Sequence, residues 1–119
     1  MAYVDGFVIP VPKSKIDAYR QMSTKCGHIW RELGALEFRE TVADDVKPGK
    51  LTSFPQAVDL KEDEVVIFSW IIYSSRAQRD EINDKVMKDP RMADMMKPEN
   101  MPFDGKRMIY GGFEMLVDM

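Results

Sequence analysis

The stretch "EVVIFSWIIYSS", residues 64–75, decides how this chain folds. A strand with one side on a core and the other in water alternates apolar and polar residues, whereas a strand covered on both sides reads as a continuous apolar run. This one is of the second kind. Val65, Ile67, Ile71 and Tyr73 fall on one side, and Val66, Phe68, Trp70 and Ile72 on the other. It is an inner strand that has to be covered twice.

Its neighbours in sequence supply one of the two covers. Residues 2–11, "AYVDGFVIPV", read as a second inner strand, with Tyr3, Phe7 and Ile9 on one face and Val4 and Val8 on the other. Pro12 and Ser14 then open a helix, and Ser14 with Asp17 has the spacing of a capping box. Ile16, Tyr19, Met22, Cys26, Ile29, Trp30 and Leu33 recur at helical spacing, and Gly34 is a natural stop. "ALEFRETV" (35–42) alternates, with Leu36, Phe38 and Val42 against Glu37, Arg39 and Thr41, as an edge strand does.

Residues 43–60 form an excursion with a Pro48-Gly49 turn, with room for a short extra strand or an arm. Ser75 caps the next helix, with Gln78 at the third position and a thin stripe of Ala77, Ile82, Val86 and Met87. Asp89-Pro90 ends that helix and starts a short one with Met92, Met95 and Met96 on its buried face; Pro98 closes it. An Asp104-Gly105 turn leads into the last strand, "RMIYGGFEMLVD" (107–118).

The order β-α-β-β-α-β is the ferredoxin-like pattern of the α+β class. It predicts a four-stranded antiparallel sheet with strands one and three inside and two helices on one face. The other face then needs a partner, since each large apolar side chain left in water forfeits about 1.5–3 kcal/mol. Closed twofold pairing is the commonest solution, so a homodimer is expected, packed sheet to sheet. The competing arrangement folds the 44–60 excursion over that face within one chain.

At 119 residues the chain is a single domain, 1–119, with 45% apolar and 31% charged residues, an ordinary globular balance. A net charge of −3, without a basic cluster, argues against nucleic acid as a partner. Cys26 is the only cysteine, so no intrachain disulfide is available, and the N-terminal segment lacks the basic region of a secretory signal. No apolar run is long enough to span a bilayer, so no membrane partner is expected. A soluble cytoplasmic protein is expected.

Few residues stand out chemically. Asp5 interrupts an inner strand, and Glu114 is the matching acid in the last strand; strands one and four are neighbours, so the two could converge as an acid–base pair or each pair with an arginine such as Arg107 or Arg39. Asn83 lies beside the thin stripe of the second helix. Trp70, Tyr73 and Tyr110 carry polar atoms on apolar bodies and suit the wall of a small aromatic-binding pocket. His28, the only histidine, falls opposite the apolar stripe with Glu32 one turn on, and Cys26 falls within the stripe as a small hydrophobe. No spacing of metal ligands occurs, and neither a metal nor an organic cofactor is expected. Gly111-Gly112 marks a bulge or a close backbone approach.

The segments "YVDGFV", "ADDV" with "PGK", "VVIFSW", "DPRM" and, above all, "MPFDGKRMIYGGFE" (101–114) closely resemble the YbaA-like family of uncharacterised bacterial proteins, from Tyr3 to Glu114. The resemblance implies the dimeric α+β barrel fold, with a pocket between sheet and helices in each protomer. It brings no established activity. Distant relatives of that fold include cofactor-free monooxygenases, haem-degrading enzymes, lactone isomerases and non-enzymatic ligand binders, so a small aromatic or lactone-type metabolite is the implied ligand class.

Overall fold

Pairing of the two long strands explains the doubled apolar pattern. In a computed structural model that describes residues 1–119, β1 (Tyr3–Pro12) and β3 (Glu64–Tyr73) lie antiparallel along their whole lengths, Tyr3 opposite Tyr73 and Pro12 opposite Glu64. β2 (Glu37–Val42) flanks β3 and β4 (Ile109–Glu114) flanks β1, giving the order β2-β3-β1-β4 in one antiparallel sheet. Both apolar ribbons are therefore inside, and both shorter, more polar strands are edges.

The helices cover one face. α1 (Ile16–Glu32), α3 (Arg76–Lys88) and α4 (Pro90–Met95) bring Ile29, Ile82, Val86 and Met92 onto Ile71 and Tyr73 of β3, while Tyr19 packs with Ile9, Val11 and Ile67. The molecule measures only 20 Å along its shortest axis, the thickness of one sheet and one helical layer. No helix is long and apolar enough to cross a membrane.

Local chemistry sets the element ends. Ser75 Oγ accepts the Gln78 amide at 3.1 Å, and Asp89 Oδ1 accepts that of Arg91 at 2.9 Å, so both expected caps are formed. Gly34, at φ 117°, follows the last turn of α1 in the left-handed region. The expected Ser14 cap is not formed. Residues 13–15 make a 3-10 turn, α1 begins at Ile16, and Lys15 at the cap position makes no side-chain bond. The backbone bond from Ile16 N–H to Lys13 O occupies that turn instead.

The Ser75 cap also fixes the phase of α3. Gln78, Arg79, Ile82, Asn83 and Val86 turn inward, whereas Ala77 and Met87, expected on the buried stripe, are exposed. Met96 is likewise exposed at the end of α4. The last strand starts later than its sequence suggests, because Arg107 is drawn off into a bidentate pair with Glu64, at 2.6 and 3.0 Å, and also donates to the carbonyls of Val58 and Asp59; it also ends earlier, at Glu114 rather than Asp118.

The excursion forms no extra strand. Ser53 caps a single helical turn, α2 (Phe54–Ala57), which sets Phe54 edge-on against Phe68 at 5.8 Å. That contact shields one corner of the second face, where Val66 is buried. The remainder stays open: Phe68 is 42% and Phe113 60% exposed, beside Val4, Val8, Trp70 and Ile109.

Candidate functional site

Two polar clusters lie in the layer between helices and sheet, with Trp30 as their common wall. The first surrounds Asp5, only 6% exposed. Tyr73 donates to Asp5 Oδ2 at 3.1 Å, Asn83 Nδ2 lies at 3.5 Å from the same oxygen, and Arg79 Nη1 is 3.7 Å from Oδ1. The Trp30 indole N–H is shared between the Tyr73 hydroxyl and Asn83 Oδ1, both at 3.2 Å. Arg79 also donates to Tyr3 Oη at 3.1 Å and lies over the Tyr3 ring. Its Nε is 3.2 Å from Asp80, close enough for charge attraction but without hydrogen-bond alignment. Burial, and then the Asp5 charge, push the Tyr73 phenol upward, so it stays a donor.

Space for this cluster comes from Gly112. A Cβ there would sit 2.7 Å from Tyr3 Cε2 and 2.8 Å from Arg79 Nη2, so any side chain would displace the guanidinium. Gly112 thus marks a close approach, one of the two readings that the mid-strand glycine pair suggests.

The second cluster lies at one end of a partly open cavity of about 180 Å³ bordered by α1, α4, the loop before β4 and the sheet. Six of the ten methionines line it (Met22, Met92, Met95, Met96, Met101 and Met108), with Cys26, Phe7, Phe38, Phe103 and Trp30. Its polar end is Glu40, Ser69, Tyr19 and Ser23. Glu40 and Ser69 stand opposite each other on β2 and β3, a directly paired position where side chains meet. Tyr19 donates to Glu40 Oε2 at 2.6 Å.

Ser69 is 2% exposed, and its Oγ has no partner in bonding geometry; it is near enough to Glu40 to favour the charged carboxylate, yet alignment, the stricter criterion, is not met. An unsatisfied buried hydroxyl costs about 1–3 kcal/mol and calls for an explanation.

Electrostatics at this end are set by burial. Edge strand β2 leaves the outer flank of Glu40 in solvent, but its carboxyl is sunk under α1, and this desolvation raises its pKa; the hydroxyls of Tyr19, Ser23 and Ser69 pull the other way and only partly offset it. Tyr19 is raised by its own burial and by Glu40. Burial, then the Glu40 charge, push the Cys26 thiol up to about 11, which makes it a poor nucleophile. On the outside of Glu40 an open groove of about 410 Å³ runs between α1 and β2 and shares Tyr19, Ser23, Phe38 and Glu40 with the cavity.

Of the residues singled out in sequence, Asp5, Tyr73 and Asn83 are brought together and Glu114 is not. Glu114 lies opposite Tyr3, exposed, and forms no ion pair, so the two acids do not converge. The arginine that meets Asp5 is Arg79, one turn before Asn83, rather than Arg107 or Arg39; Arg107 is held by Glu64, and Arg39 by Glu37. Tyr73 lies behind Trp30 and outside the cavity. Trp70 touches the cavity wall, but its ring packs on the open face against Phe68 at 5.7 Å. Tyr110 is 70% exposed and stacks on Phe7. His28 is exposed as expected, yet Glu32 pairs with Arg91 at 2.9 Å.

Glu40 and Ser69 escaped the sequence reading. The signal was parity: Glu40 shares the apolar face of β2 with Phe38 and Val42, and Ser69 sits between Ile67 and Ile71 on the helix side of β3.

The chain belongs to the family described as "Protein of unknown function (DUF1428)", whose model matches residues 2–105. It is 54% identical over 118 residues to the uncharacterized protein YbaA of Escherichia coli (strain K12), a match covering 99% of each chain. The YbaA proteins of Escherichia coli O157:H7 and Shigella flexneri match to the same extent.

Proposed function

We propose that this chain is a small-molecule-binding protein whose ligand occupies the methionine-lined cavity between α1, α4 and the sheet. The observation that carries this is a largely apolar, partly open cavity of about 180 Å³ with a buried, unpartnered Ser69 hydroxyl beside Glu40. Apolar cavities of about 150 Å³ stay dry and take up benzene, so the space suits one ring. Flexible thioether side chains adapt to such guests, as methionine-rich binding surfaces do.

The ferredoxin-like module is proposed to pair through its open sheet face as a cytoplasmic homodimer, a dimeric α+β barrel. Support comes from the row of Val4, Val8, Phe68, Ile109 and Phe113 left uncovered by α2. A contiguous apolar patch of this kind marks an interface in soluble proteins. The acidic net charge gives no support to a nucleic-acid partner.

An enzymatic alternative, isomerase-like and metal-free, draws on one observation: the Glu40 carboxyl, its pKa raised by burial, borders an organic-sized cavity where a proton acceptor could meet a guest. Binding is tested by thermal unfolding with single-ring compounds. Toluene near its solubility limit should raise Tm by a few degrees through preferential binding to the folded state. An unchanged Tm with toluene, anisole and phenol alike rejects the proposal.

A further inference from the structure

We propose that the cavity selects a neutral, single-ring molecule bearing one hydroxyl, and that this hydroxyl donates to Glu40 and accepts from Ser69 Oγ. The inference rests on the cavity being a ligand site and adds the chemical class. Its basis is the pairing of Glu40 with Ser69 across β2 and β3, both on the helix-covered face and both at the polar end of an otherwise apolar cavity.

The two groups are complementary to a hydroxyl in a way they are not to other polar groups. A carboxylate only accepts, and a serine hydroxyl without a partner has a proton to donate. A guest that offers one donor and one acceptor on the same atom satisfies both at once. A hydrocarbon leaves Ser69 unpaired. A ketone or ether accepts from Ser69 but offers Glu40 nothing.

Charge excludes the acids. No cation lines the cavity, and the arginines nearest its polar end are already engaged: Arg20 with Asp17 at 2.7 Å, and Arg31 with the carbonyls of Ala35 and Leu36. An anionic guest would meet the Glu40 carboxylate at close range with no cation in the cavity lining to offset the repulsion. Size adds to this, since a volume of about 180 Å³ matches a single substituted ring.

Calorimetric titration of the intact protein with toluene, phenol, anisole and benzoate at pH 7 tests this. Phenol should bind about tenfold more tightly than toluene or anisole, the ratio one well-formed hydrogen bond supplies, and benzoate should not bind. In Ser69→Ala and in Glu40→Leu the preference for phenol over toluene should fall to about threefold or less, with cooperative thermal unfolding of each variant showing that it is folded. Equal affinity for phenol and toluene, a preference that survives both substitutions, or benzoate binding as well as phenol overturns the selectivity and leaves the cavity as a site. Failure of all four compounds to bind overturns the cavity itself.

Discussion

Tyr19 of α1 donates a 2.6 Å hydrogen bond to Glu40 of β2 where the inner cavity and the outer groove meet. The bond holds a carboxyl that folding has partly desolvated, and this has a consequence for stability against pH. A carboxyl whose pKa is raised by folding favours the native state when protonated, and its contribution is lost as pH rises from the ordinary value of 4.5 through the folded value. The groups facing it are Tyr19, Ser23, Ser69 and Cys26, with Arg20, His28 and Arg31 along the groove. Glu40→Gln removes that loss. Relative to the wild type, its stability measured by urea unfolding should improve between pH 4 and pH 7; a difference that stays constant over this range contradicts the desolvated carboxyl.

Glu64 has the opposite sign. Hydrogen bonds from Arg107 are the main cause lowering its pKa, so its contribution is full above 4.5 and is lost as pH falls through the folded value. Glu64→Gln should therefore show a shallower loss of stability on the acid side. An acid limb unchanged from the wild type would mean that the Arg107 clasp contributes nothing.

Asp5 and Arg79 should respond unequally to substitution. Arg79→Ala leaves the Asp5 carboxylate buried without a cation, and the expected cost is about 2–3 kcal/mol, below the full range for buried pairs because Arg79 is partly exposed and 3.7 Å away. Asp5→Asn keeps an acceptor for Tyr73, and Arg79 retains Tyr3 and Asp80; about 1 kcal/mol is expected. Chemical denaturation of both variants decides the order, and a costlier Asp5→Asn contradicts it.

Gly112→Ala tests the close approach on β4. The added Cβ collides with Tyr3 and Arg79, so a loss of about 1–3 kcal/mol is expected, as for overpacked cores. Gly111→Ala meets only Phe113 at 3.7 Å, ordinary contact, and should cost less than half as much. Equal effects on Tm would show that the glycine pair serves strand geometry rather than this packing.

The open face makes its own prediction. Phe113→Asp places a charge within the apolar row and should yield single chains of 13.7 kDa in sedimentation, while the wild type sediments at twice that mass. A wild type that stays single at micromolar concentration contradicts the pairing.

Periodicity made most of the framework legible. The doubled apolar faces of residues 2–11 and 64–75 identified the inner strands, observed as Tyr3–Pro12 and Glu64–Tyr73, and the Ser75 and Asp89 caps located two helix starts, because these patterns are local. Arg79 could not be matched to Asp5 in advance, since the partners are 74 positions apart in sequence and meet only once the phase of α3 is fixed. Glu40 was obscured by its strand, in which charged residues dominate and one acid on the covered face resembles its exposed neighbours. Ser69 is small and neutral, and only three-dimensional packing reveals that its hydroxyl has no partner.

Methyl spectra of the protein labelled at methionine test the cavity most directly, because six of the ten methyl groups line it and four do not. On titration with phenol, the resonances of Met22, Met92, Met95, Met96, Met101 and Met108 should shift together and saturate, while those of Met1, Met87, Met115 and Met119 stay in place. Shifts spread evenly over all ten, or confined to the four outside, would contradict a ligand site between the helices and the sheet.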